Sequence, residues 1–338
     1  MRIACDPHRK DADMLYRAIG LDQPVSALSL GSWNTFSRLT RDECAALLAF
    51  AVERGVNLFD VGYYWDKPDT EQEFAAAVHA AGLARDQYML ALKLWLWNYP
   101  QQSLAEQARA SMHRLGVNHV DIVMVSRPTP GVDFEAFCRE IDDLVSTGIA
   151  RAWGATNWEP EQLEAARAVL QGRAQPRLVQ LQYNVARRNV VEDERYLRLF
   201  QPGQLALCAA FVLEGGILAG HLDRDRVNPS DFARGERPRE RNIARDAGGV
   251  REQIRAHQHR LQEIAHSFGA SAAQLAIAFT LANPATATAL IGVTKLTDLE
   301  ENLGALRLLA SQQEWLPLLE PLRVAAAHPR LFDPVKHE

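Results

Sequence analysis

Short apolar runs alternate with amphipathic stretches along most of the 338-residue chain. The runs are VSALSLG (25–31), VNLFDV (56–61), YMLALK (88–93), HVDIVMVS (119–126), ARAWGAT (150–156), LVQLQYN (178–184), LALCAAF (205–211) and ATALIGV (287–293). Near-continuous apolar runs of this length read as strands buried on both faces, which is the condition of a parallel sheet. Between them, stretches such as RDECAALLAFAVERG (41–55), SLAEQARASMHRLG (103–116) and VDFEAFCREIDDLVSTG (132–148) have helical spacing. Gly55, Gly82, Gly116 and Gly148 fall where such helices need a left-handed C-terminal residue. Eight strand–helix units predict an α/β fold of the (β/α)8 or TIM-barrel type, which takes about 250 residues plus insertions. A doubly wound Rossmann sheet would open its first helix with GxGxxG, and LGSWNTFSRLTRDE lacks it. The segment MLYRAIGLDQPVSALSL is expected to supply a hairpin that caps the barrel floor, and long loops are expected at the C-terminal face. A single domain over 1–338 follows, with the barrel core at about 25–310.

Composition narrows the partners. Hydrophobic residues make up 47% and charged residues 23%, the balance of an ordinary globular protein. A net charge of −5 gives no global attraction to nucleic acid or to an anionic membrane. No apolar stretch approaches the length of a bilayer span, and the N-terminal segment lacks the apolar core of a signal peptide, so a cytoplasmic location is expected. Cys5, Cys44, Cys138 and Cys208 form no CxxC pair, and the ten histidines show no ligand spacing, so no metal site is expected. A small-molecule substrate is the expected partner, and the sequence leaves the oligomeric state open.

Barrel enzymes carry their chemistry at the C-terminal ends of the strands. Those ends hold Trp33 and Asn34; Asp60; Lys93; Ser126 and Arg127; Thr156 and Asn157; Gln180 and Gln182; Phe211; and Thr294 with Lys295. Loop starts are commonly polar, but Asp60 and Lys93 end adjacent strands, where an ion pair could tune a third group.

These residues resemble the aldo-keto reductases, and most closely the branch that contains the β-subunits of voltage-gated potassium channels. The resemblance runs from LSLGSWNTF through GVNLFDVGYYW, LALKLW, RLGVNHVDIVMVSRPTP, WGATNW, VQLQYN and GGILAGH to LIGVTKLTDLEENLGAL. It implies a TIM barrel that binds NADPH across its mouth and passes hydride to a carbonyl, with Asp, Tyr, Lys and His at the centre. In that scheme the lysine, paired with the aspartate, acidifies the phenol that protonates the nascent alkoxide. The aspartate and lysine correspond to Asp60 and Lys93. The tyrosine position, counted to Glu71, falls on Trp65, with Tyr64 one place earlier, and the histidine falls on Ser126. The tetrad is therefore expected to be altered. For the cofactor, the resemblance assigns Thr156, Asn157 and Gln180 to the nicotinamide carboxamide. It assigns Thr294, Lys295, Glu301 and Asn302 to the adenosine, and His221 to the pyrophosphate. The usual stacking aromatic aligns at Ala210, with Phe211 beside it. Asp298 stands where relatives carry Arg or Gln, which would favour a ribose hydroxyl over a phosphate and keeps NADH beside NADPH as a cofactor. The arginine-rich segment 223–246 coincides with a cofactor-covering loop and points to Arg239 or Arg241 as a pyrophosphate clamp.

Three functions follow from this reading. The favoured one is an NAD(P)H-dependent reductase acting on C=O, or with greater weight on C=N or an activated C=C, because a protonated imine needs no proton donor. Trp33, Trp65, Trp95 and Arg127 would line the pocket of a substrate with an aromatic or apolar body. The alternatives are a nicotinamide-binding regulatory subunit with little turnover, and a lyase or dehydratase using Asp60 and Lys93 without redox chemistry.

Overall fold

The computed structural model describes residues 14–33, 35–64, 69–201, 204–222 and 250–324. Each apolar run of the sequence becomes a strand of one closed parallel barrel. The barrel strands are β3 (Leu28–Gly31), β4 (Leu58–Val61), β5 (Met89–Leu94), β6 (Val120–Ser126), β7 (Ala150–Thr156), β8 (Leu178–Gln182), β9 (Ala206–Ala210) and β10 (Thr286–Ile291). They follow chain order, and β10 closes against β3 through Ala289–Leu28. Below them β1 (Tyr16–Arg17) pairs antiparallel with β2 (Val25–Ser26), which is the hairpin cap expected from the sequence. Ile19 and Val25 of this hairpin are fully buried among the inward-facing residues of the barrel and plug its floor.

The helices start and stop on local chemistry. α1 (Arg41–Glu53) and α3 (Leu104–Leu115) each open on a reciprocal capping box, Thr40 with Glu43 and Ser103 with Glu106. Gly116 ends α3 at φ 67°, a conformation that a side chain would resist. α2 (Thr70–Ala80), α4 (Phe134–Ser146), α5 (Pro160–Val169) and α6 (Glu194–Leu199) continue the outer ring. α7 (Val250–Ser267), α8 (Ala272–Ala282) and α9 (Leu296–Leu303) complete its described part.

Two-residue alternation sorts the strands into an inner and an outer set. Phe59, Leu90, Leu92, Val123, Val125 and Val179 pack outward against the helices. Leu58, Met89, Ala91, Ile122, Met124, Leu178 and Cys208 fill the interior. At Gly154 an added Cβ would lie 2.6 Å from the Met124 sulfur, so the glycine is what lets that methionine lie over the neighbouring strand. Continuing the inner parity one step toward the strand ends brings Asp60, Lys93, Ser126, Thr156 and Gln180 to the top layer, all buried. The same alternation that builds the core thus delivers five polar side chains to its mouth.

Candidate active site

Asp60, Lys93 and Gln180 form a closed triangle at the floor of a cleft. The Lys93 ammonium lies 2.9 Å from Asp60 Oδ2 and donates to Gln180 Oε1 at 2.6 Å. Gln180 Nε2 in turn donates to Asp60 Oδ2 at 2.8 Å. Each of the three is no more than 6% exposed. A buried charge pair survives in a protein only when its remaining hydrogen-bonding capacity is met, and Gln180 meets most of it. Asp60 Oδ1 is left buried without a partner. Beside the triangle sits Cys208, 3.6 Å from Gln180 Nε2. Burial, and then the Asp60 charge, push its thiol up to about 12, so it is no nucleophile.

Tyr64 turns its ring into this cleft and is 4% exposed. Its hydroxyl lies 3.2 Å from Ser32 Oγ. Gly62 makes room for it: a Cβ there would stand 2.9 Å from both Cβ and Cγ of Lys93, and 3.3 Å from Tyr64 Cζ. The lysine stem and the carbon that bears the phenol oxygen thus both border the space beside Gly62. Trp95 packs against Tyr64 at a centroid distance of 6.2 Å and stacks on Trp97 at 5.2 Å. On the opposite side Trp33 meets Phe211 at 5.7 Å. Phe211 has φ 55°, and its backbone carbonyl accepts from Asn184 Nδ2 at 2.9 Å. Asn184 also donates to Glu214, which Arg187 grips at 3.0 Å. These buried contacts offset the cost of a left-handed phenylalanine and keep it at the cleft.

The cleft holds about 910 Å³ and runs on from the triangle between the strand ends and α7, α8 and α9. Its lining includes Thr156, Asn157, Gln180, Phe211, His221, Thr294, Asp298, Glu301 and Asn302, residues that the sequence reading assigned to a cofactor. Thr156 Oγ1 is buried there with no partner. Asn157 sits at φ 60° with its N–H donated to the Gln180 carbonyl.

Gln180 lines the cleft with both ends of its amide engaged by Asp60 and Lys93, where the sequence reading had reserved it for a ligand carboxamide. Other assignments fall elsewhere. Ser126 ends β6 in register with Thr156, buried and outside the cleft lining. Arg127 is also outside it, paired with Glu159 at 3.0 Å, because it follows Ser126 and takes the outward parity. Lys295 is the exposed residue that precedes α9 and does not reach the cleft, whereas Asp298, one turn on, does. Trp65, Arg239, Arg241 and Asn34 lie outside the described residues.

Sequence reasoning missed a polar stripe on α7. Arg255, His259, Gln262 and His266 all line the cleft. Their spacing of four, three and four residues is the repeat of one helical face, and that signal was present in the sequence. Arg38, from the turn Phe36–Arg38, joins them at the mouth.

Residues 27–318 match the model of the aldo/keto reductase family. The chain is 30% identical over 307 residues to a probable voltage-gated potassium channel subunit beta of Oryza sativa subsp. japonica, covering 88% of this chain and 90% of that protein. A protein of the same description from Arabidopsis thaliana is 28% identical over 324 residues, covering 91% and 94%. Among solved structures, an aldo-keto reductase from Klebsiella pneumoniae in complex with NADPH superposes with a TM-score of 0.70 at 20% identity, over 95% of this chain and all of that one. With a family model matched over residues 27–318, most of its length, the chain belongs to the aldo/keto reductase family.

Proposed function

We propose that this aldo/keto reductase family oxidoreductase uses NADPH to reduce the C=O bond of a small molecule with an aromatic or apolar body, with Tyr64 as the proton donor. The observation that carries the reading is the placement of the Tyr64 phenol in the cleft, packed across Gly62 from the Lys93 stem. The sequence put a tryptophan at the usual donor position, and the neighbouring tyrosine answers the need.

A nicotinamide fits the residues present. The Thr156 hydroxyl is a buried polar atom without a partner at the cleft floor, which a carboxamide would satisfy. Asn157, held in a left-handed conformation, lies next to it on the lining. His221 and Arg255 would face phosphate oxygens, and Asn302 with Glu301 the adenosine. When bound, the reduced cofactor supplies the hydride.

The chain's own residues do the rest. Tyr64 gives its hydroxyl proton to the substrate oxygen as that oxygen gains charge, and is left as a phenolate. Lys93 stabilises the phenolate by its charge: two of its three N–H groups are engaged by Asp60 and Gln180, and one remains. Asp60 gives the lysine a counter-charge at a buried site. Ser32, hydrogen-bonded to the phenol, orients it. Trp33, Trp95 and Phe211 form apolar walls that exclude water and receive a flat substrate.

A second reading rests on the orphaned Asp60 Oδ1. A buried, unpartnered carboxylate oxygen beside aromatic walls would attract an iminium, whose reduction yields a neutral amine with no donor at all. One experiment separates the two. Wild type and Tyr64→Phe are assayed with NADPH on 4-nitrobenzaldehyde and on 3,4-dihydroisoquinoline. The carbonyl reading expects the variant to lose about 100-fold or more in kcat on the aldehyde. Turnover of the imine alone, unaffected by the substitution, would establish the second reading instead. NADPH binding without turnover of either would point to a regulatory nucleotide-binding protein, and no binding at all to non-redox chemistry.

A further inference from the structure

Tyr63, the residue before the donor, is held from four sides, although it does not itself line the cleft. Its backbone carbonyl accepts the Trp95 indole N–H at 2.8 Å. Its ring lies under the Arg114 guanidinium at 4.8 Å and against Trp97 at 6.3 Å. Arg114 is fixed in turn: its Nε donates to Glu71 Oε2 at 2.5 Å and its Nη2 to Ser111 Oγ at 2.9 Å. Glu71 is fully buried at the start of α2. Burial raises its pKa, against Arg114, Ser111 and the Tyr63 amide, which favour the ionised form.

A surface tyrosine in a loop needs none of this. The arrangement makes sense if the placement of the next residue matters. Tyr64 must bring its hydroxyl to one spot between Ser32 and Lys93, and a backbone pinned at Tyr63 removes the freedom to miss it. We infer that Tyr63 is a positioning residue: gripped by the Glu71–Arg114 pair and by Trp95, it sets the angle at which the Tyr64 phenol enters the cleft. The inference rests on the reading of Tyr64 as the donor, and the test is built to separate the two.

The variants are Tyr63→Leu, which loses the ring contacts; Tyr63→Phe, which keeps them; and each again in the Tyr64→Phe background. The reaction is NADPH with 4-nitrobenzaldehyde. Tyr63→Leu is expected to lower kcat about tenfold to 100-fold, with KM and the NADPH Kd from fluorescence titration within about twofold of wild type. Tyr63→Phe is expected to behave as wild type. With Tyr64 already replaced, Tyr63→Leu is expected to cause no further loss. An unchanged kcat in Tyr63→Leu, or an equal loss with and without the Tyr64 hydroxyl, would overturn the inference. If Tyr64→Phe alone leaves kcat intact, the donor assignment fails, and the positioning role falls with it. Circular dichroism checks the fold, and Glu71→Gln, which keeps the side-chain shape, takes the same comparison if Tyr63→Leu does not fold. A crystal structure of the variant reads the same point without turnover: the Tyr64 hydroxyl should leave Ser32, and finding it in place would refute the clamp.

Discussion

Replacing Gly62 by alanine adds one methyl group beside Lys93 and Tyr64, the two residues on which the proposed chemistry depends. The backbone at Gly62 is not in the left-handed region, so the substitution is tolerated conformationally and the effect is steric. The new Cβ would lie 2.9 Å from Lys93 Cβ and Cγ. Ordinary contact begins about 0.5 Å further out, and close packing leaves few voids to absorb the difference. Lys93 cannot yield, because its Cβ is fixed near the C-terminal end of β5, in register with Met124 of β6. The loop 62–64 must move instead, carrying Tyr64 away from the lysine. Overpacking of this kind destabilises by about 1–3 kcal/mol. Displacing a reacting group by a fraction of an ångström to an ångström lowers the rate by about tenfold to 100-fold. The assay is steady-state reduction of 4-nitrobenzaldehyde, with urea denaturation and NADPH fluorescence titration in parallel. The expected pattern is a moderate loss of stability, a large loss of kcat and an unchanged NADPH affinity. A Gly62→Ala protein with kcat within about twofold of wild type would refute the idea that the contact between Tyr64 and Lys93 is what the site depends on.

Further outcomes follow from the same geometry. Asp60→Asn leaves a 5% exposed ammonium without a counter-charge and should lower unfolding free energy by about 3–5 kcal/mol in urea titrations, with Lys93→Met restoring part of the loss in the double variant. Thr156→Val keeps the shape and removes the unpartnered hydroxyl. It should weaken NADPH binding by about tenfold in fluorescence titration while leaving the melting temperature unchanged or raised. Burial pushes the thiols of Cys44, Cys138 and Cys208 up from 9.0 to about 12. The unfolded chain gives up these protons first, so stability is intact below about pH 9 and falls as pH rises from there toward about 12. Urea midpoints across that range, compared with those of variants carrying alanine at each thiol, test the sign. Native protein should resist alkylation by iodoacetamide at neutral pH at these three positions.

The barrel was legible because its information is local. Each strand is announced by its own apolar run, and the parity of residues such as Ile122 and Met124 places Ser126 inside, just as Leu58 places Asp60. Proximity at the strand ends was legible for the same reason. What sequence could not separate was presence at a strand end from presence in the cleft. Arg127 is one residue beyond Ser126 and belongs to the outer face, and Lys295 and Asp298 differ by less than a helical turn yet only one lines the cleft. The engagement of Gln180 depends on three strands meeting across the barrel, with 120 residues between it and Asp60. Glu71 served in the sequence only to count an alignment, and nothing local signals that it is buried beneath Tyr63 and Arg114. The α7 stripe was readable from periodicity alone, since His257 and His259, two residues apart on one helix, face different ways. His259 lines the cleft, whereas His257 contacts the Leu322 carbonyl.

The division between strand and loop also explains how a tyrosine one place early can serve. Asp60, Lys93 and Gln180 close on one another, and the ring is neutral as a whole if the carboxylate and ammonium are both charged. Such a ring makes little electrostatic demand on what lies above it and stays in place whichever side chain the loop presents. The phenol's position is then set by the loop's own supports: Gly62 allows the approach, Tyr63 is held at ring and carbonyl, and Ser32 receives the hydroxyl. Of these, only the Gly62 approach touches the ring of three, at the Lys93 stem. Loss of the grip on Tyr63 should therefore lower turnover with little effect on global stability, whereas loss of Asp60 or Lys93 should lower both. The contrast between Tyr63→Leu and Asp60→Asn measures that separation directly.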